Sequence, residues 1–274
     1  MIKKVINIIK YIIIGIVQGV SEILPISSSG HLSLTYELLN ISKGNQLDIT
    51  IYLHFASSLA LCLFFKNRIK DIIKGCFSYI FKNDKSQIYS FKLFIYLVIA
   101  TLPAATVGFF LDEFIEKYFN NSLFLSICFF ITSIILLISS KLKSCAHSHY
   151  TFKNTIVVGL FQCLAIVPGI SRSGTTMFAG KLSKLDSNKQ KEFSFLLLIP
   201  ISLGAFILSL TKPHNAFINF SEYSYLYLIS MIISFVFTFL SLKMLMKKAN
   251  EIPYIYFSIY LLILSVIILF FYYF

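Results

Sequence analysis

A carboxylate, a histidine and an arginine stand inside long apolar sequence, each bracketed by serine and glycine. Glu22 follows Gln18 by four residues, which puts both on one face of a helix that must end near Pro25. Ser27-Ser28-Ser29-Gly30 comes next and leads into His31. Far along the chain, Arg172 is the one charge in Ser171-Arg172-Ser173-Gly174-Thr175. A serine-glycine turn that opens a helix offers hydroxyls and backbone N–H groups to an anion, phosphate above all. Guanidinium matches phosphate oxygens in a two-pronged way and stays charged in any surroundings. Histidine titrates near neutrality and serves as acid, base or nucleophile. Each residue alone has a plainer reading: serines cap helices, arginines snorkel, a lone histidine completes a hydrogen-bond network. Together they spell phosphate chemistry. The carboxylate implies a divalent cation, Mg²⁺ first and Ca²⁺ second, bridging protein and phosphate oxygens. An oxygen-rich site with one histidine is unlike a zinc cage.

The two stretches are copies of each other. Gly15 aligns with Gly159, Gln18 with Gln162, Ser27 with Ser171, Ser29 with Ser173 and Gly30 with Gly174. Each starts as an apolar helix, meets a proline and opens into the serine-glycine turn.

What holds these turns is a membrane protein. The chain has 274 residues, 57% hydrophobic and 13% charged, with a mean hydropathy of +0.80; a soluble domain of this length needs a more polar surface. The apolar runs are continuous, so the spans are helices. The net charge of +12 collects in loops beside apolar spans, as cytoplasmic membrane loops do, and does not indicate nucleic acid. The five cysteines are scattered and read as packing residues. Cys145, His147 and His149 make only a faint metal-ligand pattern beside lysines.

Six segments reach the roughly twenty residues a spanning helix needs: about 49–65, 93–111, 122–140, 193–211, 223–242 and 253–274. The basic loops 66–92, 141–153, 181–192 and 243–251 face the cytoplasm by the positive-inside rule, and 112–121 and 211–222 face outward. Segment 154–180 therefore enters and leaves on one side, which predicts a re-entrant helical hairpin. The repeat predicts a second hairpin at 8–36, entering from the opposite face. The expected fold is an all-α membrane protein of two inverted halves, 1–150 and 151–274, each with one re-entrant hairpin and three spans, and a site where the broken helices meet. Lys3, Lys4 and Lys10 resist this topology, because they would lie outside; a fully spanning first helix is the competing arrangement.

The motifs resemble those of the undecaprenyl-diphosphate phosphatases of the bacitracin-resistance protein type. Gln18 through His31 is similar to that family's (E/Q)-x3-E followed by P-x-S-S-x-G-H, and Pro168 through Thr176 to its P-G-x-S-R-S-G-x-T. Glu192-Phe193-Ser194 with Pro200, and Leu102-Pro103-Ala104-Ala105 with Gly108, are further matches. Acid-phosphatase-like membrane enzymes are excluded, since no Arg-Pro occurs and Phe178 stands where their second histidine belongs.

The resemblance implies hydrolysis of undecaprenyl diphosphate to undecaprenyl phosphate and inorganic phosphate, dependent on a divalent cation. The product is the lipid carrier used for peptidoglycan, and excess enzyme is associated with bacitracin resistance. The expected place is the bacterial cytoplasmic membrane, among membrane lipids, with the site open to the outer face. By position, Glu22 and Gln18 correspond to the metal-associated pair, and Glu22, Ser28, His31 and Arg172 to the catalytic set. Ser27, Ser29, Gly30, Ser171, Ser173, Gly174 and Thr175 would bind phosphate. Two departures stand out: Gln18 is the neutral alternative at its place, and Leu261 stands where family members often have arginine. The nucleophile stays open between Ser28, His31 and water. A polyprenyl-phosphate carrier is the rival function, because inverted repeats with broken helices are also a transporter design. Oligomeric state is not legible; a homodimer is one arrangement the sequence allows.

Overall fold

The computed structural model describes residues 2–118, 121–143, 149–211, 220–247 and 253–273. Cys145 and His147 of the faint metal pattern fall outside them. Among the described residues the chain is helical throughout: α1 Ile2–Ser21, α2 Ser28–Leu38, α3 Lys43–Phe64, α4 Lys66–Phe81, α5 Ile88–Tyr118, α6 Ser122–Lys141, α7 Phe152–Leu164, α8 Arg172–Leu182, α9 Ser187–Thr211, α10 Phe220–Lys247 and α11 Tyr254–Tyr273. Both repeated stretches form a helix, a break and a second helix: α1 and α2 flank residues 22–27, and α7 and α8 flank 165–171.

Seven of these helices are long and apolar enough to cross a membrane. The six expected segments are among them, and the seventh is α1. Its twenty residues start well before position 8, because lysine is a good helix former and Lys3 and Lys4 do not stop the helix. Lys10, one of the lysines that resisted the topology, has a local use: its Nζ donates to the carbonyl of Leu39 at 2.6 Å, where the end of α2 leaves acceptors unfilled. The basic stretch 66–92 is not a loop, as expected, but mostly α4. Lys66, Arg68, Lys70 and Lys74 share that helix with Ile73, Phe77, Ile80 and Phe81, all four of which are exposed. Such a two-faced helix suits a membrane interface.

Packing follows the small residues. Helix α1 lies along α10 at Gly15 and Gly19, where an added Cβ would come 2.6 Å from the Ser230 carbonyl oxygen and 2.7 Å from that of Ser234. Such close backbone approach is how helices associate within lipid. Helix α7 meets α5 in the same manner, Gly159 against the backbone of Ala100. Helices α6 and α11 are clasped by serines: Ser133 Oγ donates to the carbonyl of Ser258 and Ser258 Oγ to that of Ser133, both at 2.8 Å. Ser126 Oγ donates to the Ser265 carbonyl at 3.1 Å. Glu192 on α9 gathers Arg68 Nε at 2.5 Å, Lys189 Nζ at 2.8 Å and the Tyr150 hydroxyl at 3.0 Å, which fastens α4 to the bundle.

These contacts give a stability prediction. Gly19→Ala forces a methyl against backbone atoms of α10, and overpacking of this kind costs about 1–3 kcal/mol. At about 2–4 °C per kcal/mol for a chain of this class, the unfolding midpoint in detergent should fall by roughly 2–12 °C. Gly204→Ala, with nothing within 4 Å of the new atom, should leave it unmoved. Equal midpoints for the two variants would contradict the close packing.

Candidate functional site

The two breaks meet. Arg172, the first residue of α8, reaches across to Glu22, with Nη2 2.5 Å from Oε1. Ser173 Oγ donates to the carbonyl of Leu24 at 3.1 Å, and the Gly169 N–H donates to Ser29 Oγ at 3.4 Å. Three cross-links thus bind one turn to the other. Each turn is also built internally in the same way. Ser27 Oγ accepts from the N–H of Gly30 at 3.3 Å and Ser171 Oγ from that of Gly174 at 3.1 Å, so each serine caps its helix. Thr132 on α6 braces the second turn, accepting from the Ser171 N–H and donating to the Gly169 carbonyl, both at 3.3 Å.

Around Glu22 the polar groups are dense. Its Oε2 accepts from Ser28 Oγ at 2.5 Å and from Gln18 Nε2 at 3.0 Å, and lies 3.2 Å from His54 Nδ1. His54 comes from α3 and also sits 3.1 Å from Gln18 Nε2. Behind it, Ser57 Oγ accepts from Thr238 Oγ1 at 3.0 Å and contacts Ser234 Oγ at 3.1 Å, so α10 supports the floor of the site. The Glu22 side chain is 1% exposed, whereas Arg172 and His54 are 21% and 25% exposed. An incoming anion therefore meets the two basic side chains while the carboxylate stays beneath them. Only Nη2 of Arg172 is engaged with protein among the described residues; a guanidinium has five N–H donors, so several remain for phosphoryl oxygens.

Of the residues expected from the sequence, Gln18, Glu22, Ser28 and Arg172 come together. Ser27, Ser29, Gly30, Ser171, Ser173 and Gly174 build and join the turns. Thr175 is fully buried and its hydroxyl is used on the carbonyls of Ser171 and Arg172. His31 points elsewhere: Nδ1 lies 2.8 Å from the Ser27 carbonyl oxygen and Nε2 2.7 Å from the hydroxyl of Tyr260 on α11. Leu261 is buried in the apolar core and offers the site nothing polar. Sequence reasoning missed His54 and Tyr260. An ionisable residue inside the span 49–65 was the available signal for His54, since such residues are costly in lipid.

The oxygen donors here suit a hard cation. Gln18 Oε1 is buried without a hydrogen-bond partner, beside the Glu22 carboxylate. No group of three or more His, Cys, Asp or Glu is placed to hold a metal among the described residues. One carboxylate and one amide oxygen fit Mg²⁺, which commonly takes one or two carboxylates and completes its shell with substrate phosphates and water.

Comparison with known proteins gives the chain's relatives. The chain is 37% identical to undecaprenyl-diphosphatase 1 of Bacillus cereus over 96% of its own length and 97% of the relative's. It is 38% identical to undecaprenyl-diphosphatase of Thermosipho melanesiensis over 93% and 96%, and 31% identical to undecaprenyl-diphosphatase 1 of Shouchella clausii over 97% and 96%. The family model described as bacitracin resistance protein BacA matches residues 11–267, a stretch that takes in both turns, α3 with His54 and α11 with Tyr260. With its apolar spans and its paired turns accounted for in one match, this multi-pass membrane chain belongs to the bacitracin resistance protein BacA family.

Proposed function

We propose that the chain is a membrane phosphatase that hydrolyses undecaprenyl diphosphate to undecaprenyl phosphate and inorganic phosphate, returning the lipid carrier to peptidoglycan synthesis. The observation that carries the reading is the contact of Arg172 with Glu22 while Glu22 holds Ser28. That trio joins an anion receptor, a proton acceptor and a hydroxyl nucleophile, and the similarity to enzymes named undecaprenyl-diphosphatase supplies the substrate.

In this reading the terminal phosphoryl group lies against Arg172 and the N–H groups of the turns, which stabilise the charge on its oxygens. The Ser28 proton passes to Glu22 Oε2. The Ser28 Oγ–P bond forms as the bridging P–O bond breaks, and undecaprenyl phosphate leaves. Water then attacks phosphorus as the Ser28 Oγ–P bond breaks, Glu22 returns the proton to Ser28 Oγ, and phosphate departs as H₂PO₄⁻, carrying the water's protons. His54, beside Glu22 Oε2 and Gln18, holds the carboxylate in line. A Mg²⁺ ion held by Glu22 and Gln18 Oε1 would supply further neutralisation of phosphate charge.

The architecture proposed is the inverted one, with halves 1–150 and 151–274 and hairpins re-entering from opposite faces. Its support is the matching of partners: α1 on α10 answers α7 on α5, and α6 pairs with α11. The family resemblance supports a site open to the outer face of the cytoplasmic membrane, with the isoprenoid between the spans. Phosphate release by purified chain in detergent tests the function, since a carrier releases none. EDTA should lower the rate at least ten-fold and added Mg²⁺ should restore it, the size expected of a Lewis acid worth several kcal/mol. Undiminished turnover in EDTA would remove the cation from the scheme.

A further inference from the structure

Three observations converge on Tyr260. First, a carbonyl oxygen only accepts, so His31 Nδ1, 2.8 Å from that of Ser27, carries the hydrogen. In the neutral ring Nε2 is then the acceptor, and the Tyr260 hydroxyl donates to it at 2.7 Å. The two rings stack with centroids 5.6 Å apart and 19° between planes, and Phe129 closes the imidazole's other side at 5.3 Å. Neither nitrogen of His31 is bonded to Glu22, Ser28 or Arg172.

Second, the carbonyl that His31 grips belongs to a strained residue. Ser27 has φ 69°, in the left-handed region that a serine enters only at a cost of order 1–3 kcal/mol. It is held there by surrounding contacts: the N–H of His31 at 3.2 Å and His31 Nδ1 both end on its carbonyl oxygen. The next residue is Ser28, whose hydroxyl lies on Glu22.

Third, Tyr260 is held through its backbone, the residue itself being 43% exposed. It follows by two residues the reciprocal clasp of Ser258 with Ser133, which fixes the register of α11 against α6.

We infer that Tyr260 is a positioning residue of the site: its hydroxyl and ring hold the imidazole of His31 in place, the imidazole Nδ1–H clamps the left-handed Ser27 carbonyl, and that clamp sets Ser28 against Glu22. The inference rests on the reading of Ser28 as nucleophile of a phosphatase. It gives His31 a role through Nδ1, with Nε2 occupied by the tyrosine rather than by substrate.

The test uses full-length protein in detergent with undecaprenyl diphosphate, and compares kcat and KM among variants. Asparagine places a donor where Nδ1 sits, and glutamine where Nε2 sits. His31→Asn should keep turnover within about ten-fold, whereas His31→Gln should lose about 100-fold, the cost of displacing a reacting group by about 1 Å. Tyr260→Phe keeps the stacked ring and removes the hydroxyl. It should lower kcat about ten-fold with KM within two-fold, and should have no further effect in the His31→Asn background, as coupled residues behave in a double-mutant cycle. Nitrogen-15 NMR of labelled histidine should show the His31 Nδ1–H as a hydrogen-bonded, slowly exchanging signal in the parent and a faster-exchanging one in Tyr260→Phe. Equal inactivation by asparagine and glutamine, or wild-type kcat or unchanged Nδ1–H exchange in Tyr260→Phe, overturns the inference. Absence of phosphate release by the parent protein would instead defeat the phosphatase reading, and the Nδ1–H exchange would then decide the clamp alone: its acceleration in Tyr260→Phe supports it, its persistence refutes it.

Discussion

Replacing Arg172 by alanine is expected to reduce phosphate release about 10³-fold, within the range found when a charge-stabilising arginine is removed from a phosphoryl-transfer site. The size follows from two roles of one side chain. In the proposed reaction its remaining N–H donors receive the phosphoryl oxygens as they gather charge, and a preorganised donor of this kind is worth several kcal/mol. Its Nη2 also neutralises Glu22, whose side chain is 1% exposed. Without the guanidinium, the buried carboxylate keeps Ser28, Gln18 and His54, and breaking a buried pair in this way costs up to about 3–5 kcal/mol of stability. The variant should therefore lose both activity and thermal stability. The double variant Arg172→Ala with Glu22→Gln separates the two effects: it should regain part of the stability and none of the turnover. Arg172→Lys keeps a charge but not the planar fork, and should recover only a fraction of the rate. Ordinary turnover by Arg172→Ala would remove this residue from the reaction.

The meeting of Arg172 with Glu22 was legible from sequence because the repeat carried it. Two copies of a broken helix, each with a serine-glycine turn, had one charge in the second and a carboxylate before the first; a shared site was the economical solution. The spans were legible for a related reason, since continuous apolar runs near twenty residues admit little else. What escaped was decided by packing. His54 is one histidine in an apolar helix, and only the rotation of α3 against α1 turns it toward Glu22 rather than to a serine or to lipid. Tyr260 is one aromatic among many on α11, and its register comes from the Ser258 clasp. The dense charges of α4 resemble a loop in sequence, whereas its apolar residues make one face of a helix. His31 directly follows the serine turn in sequence, and only packing brings its ring to Tyr260 on α11.

Glu22→Gln bears most directly on the chemistry, because it is nearly isosteric and removes only the negative charge. The amide cannot take the Ser28 proton, although its oxygen still accepts a hydrogen bond from the hydroxyl now placed at 2.5 Å. General-base catalysis is worth about 10²–10⁴-fold, so kcat should fall into that range while the lipid still binds through Arg172. A loss confined to KM would mean that the carboxylate only shapes the binding site. Any phosphoseryl intermediate should fail to accumulate in this variant, since both its formation and the return of the proton pass through residue 22. Water attacking directly predicts the same fall in kcat with no phosphoserine in the parent enzyme either. Rapid acid quench of parent protein with labelled substrate, followed by peptide mapping at Ser28, distinguishes the two. Label at Ser28 supports serine attack; its absence, with turnover intact, would leave Glu22 as the base for water and Ser28 as the donor that orients it.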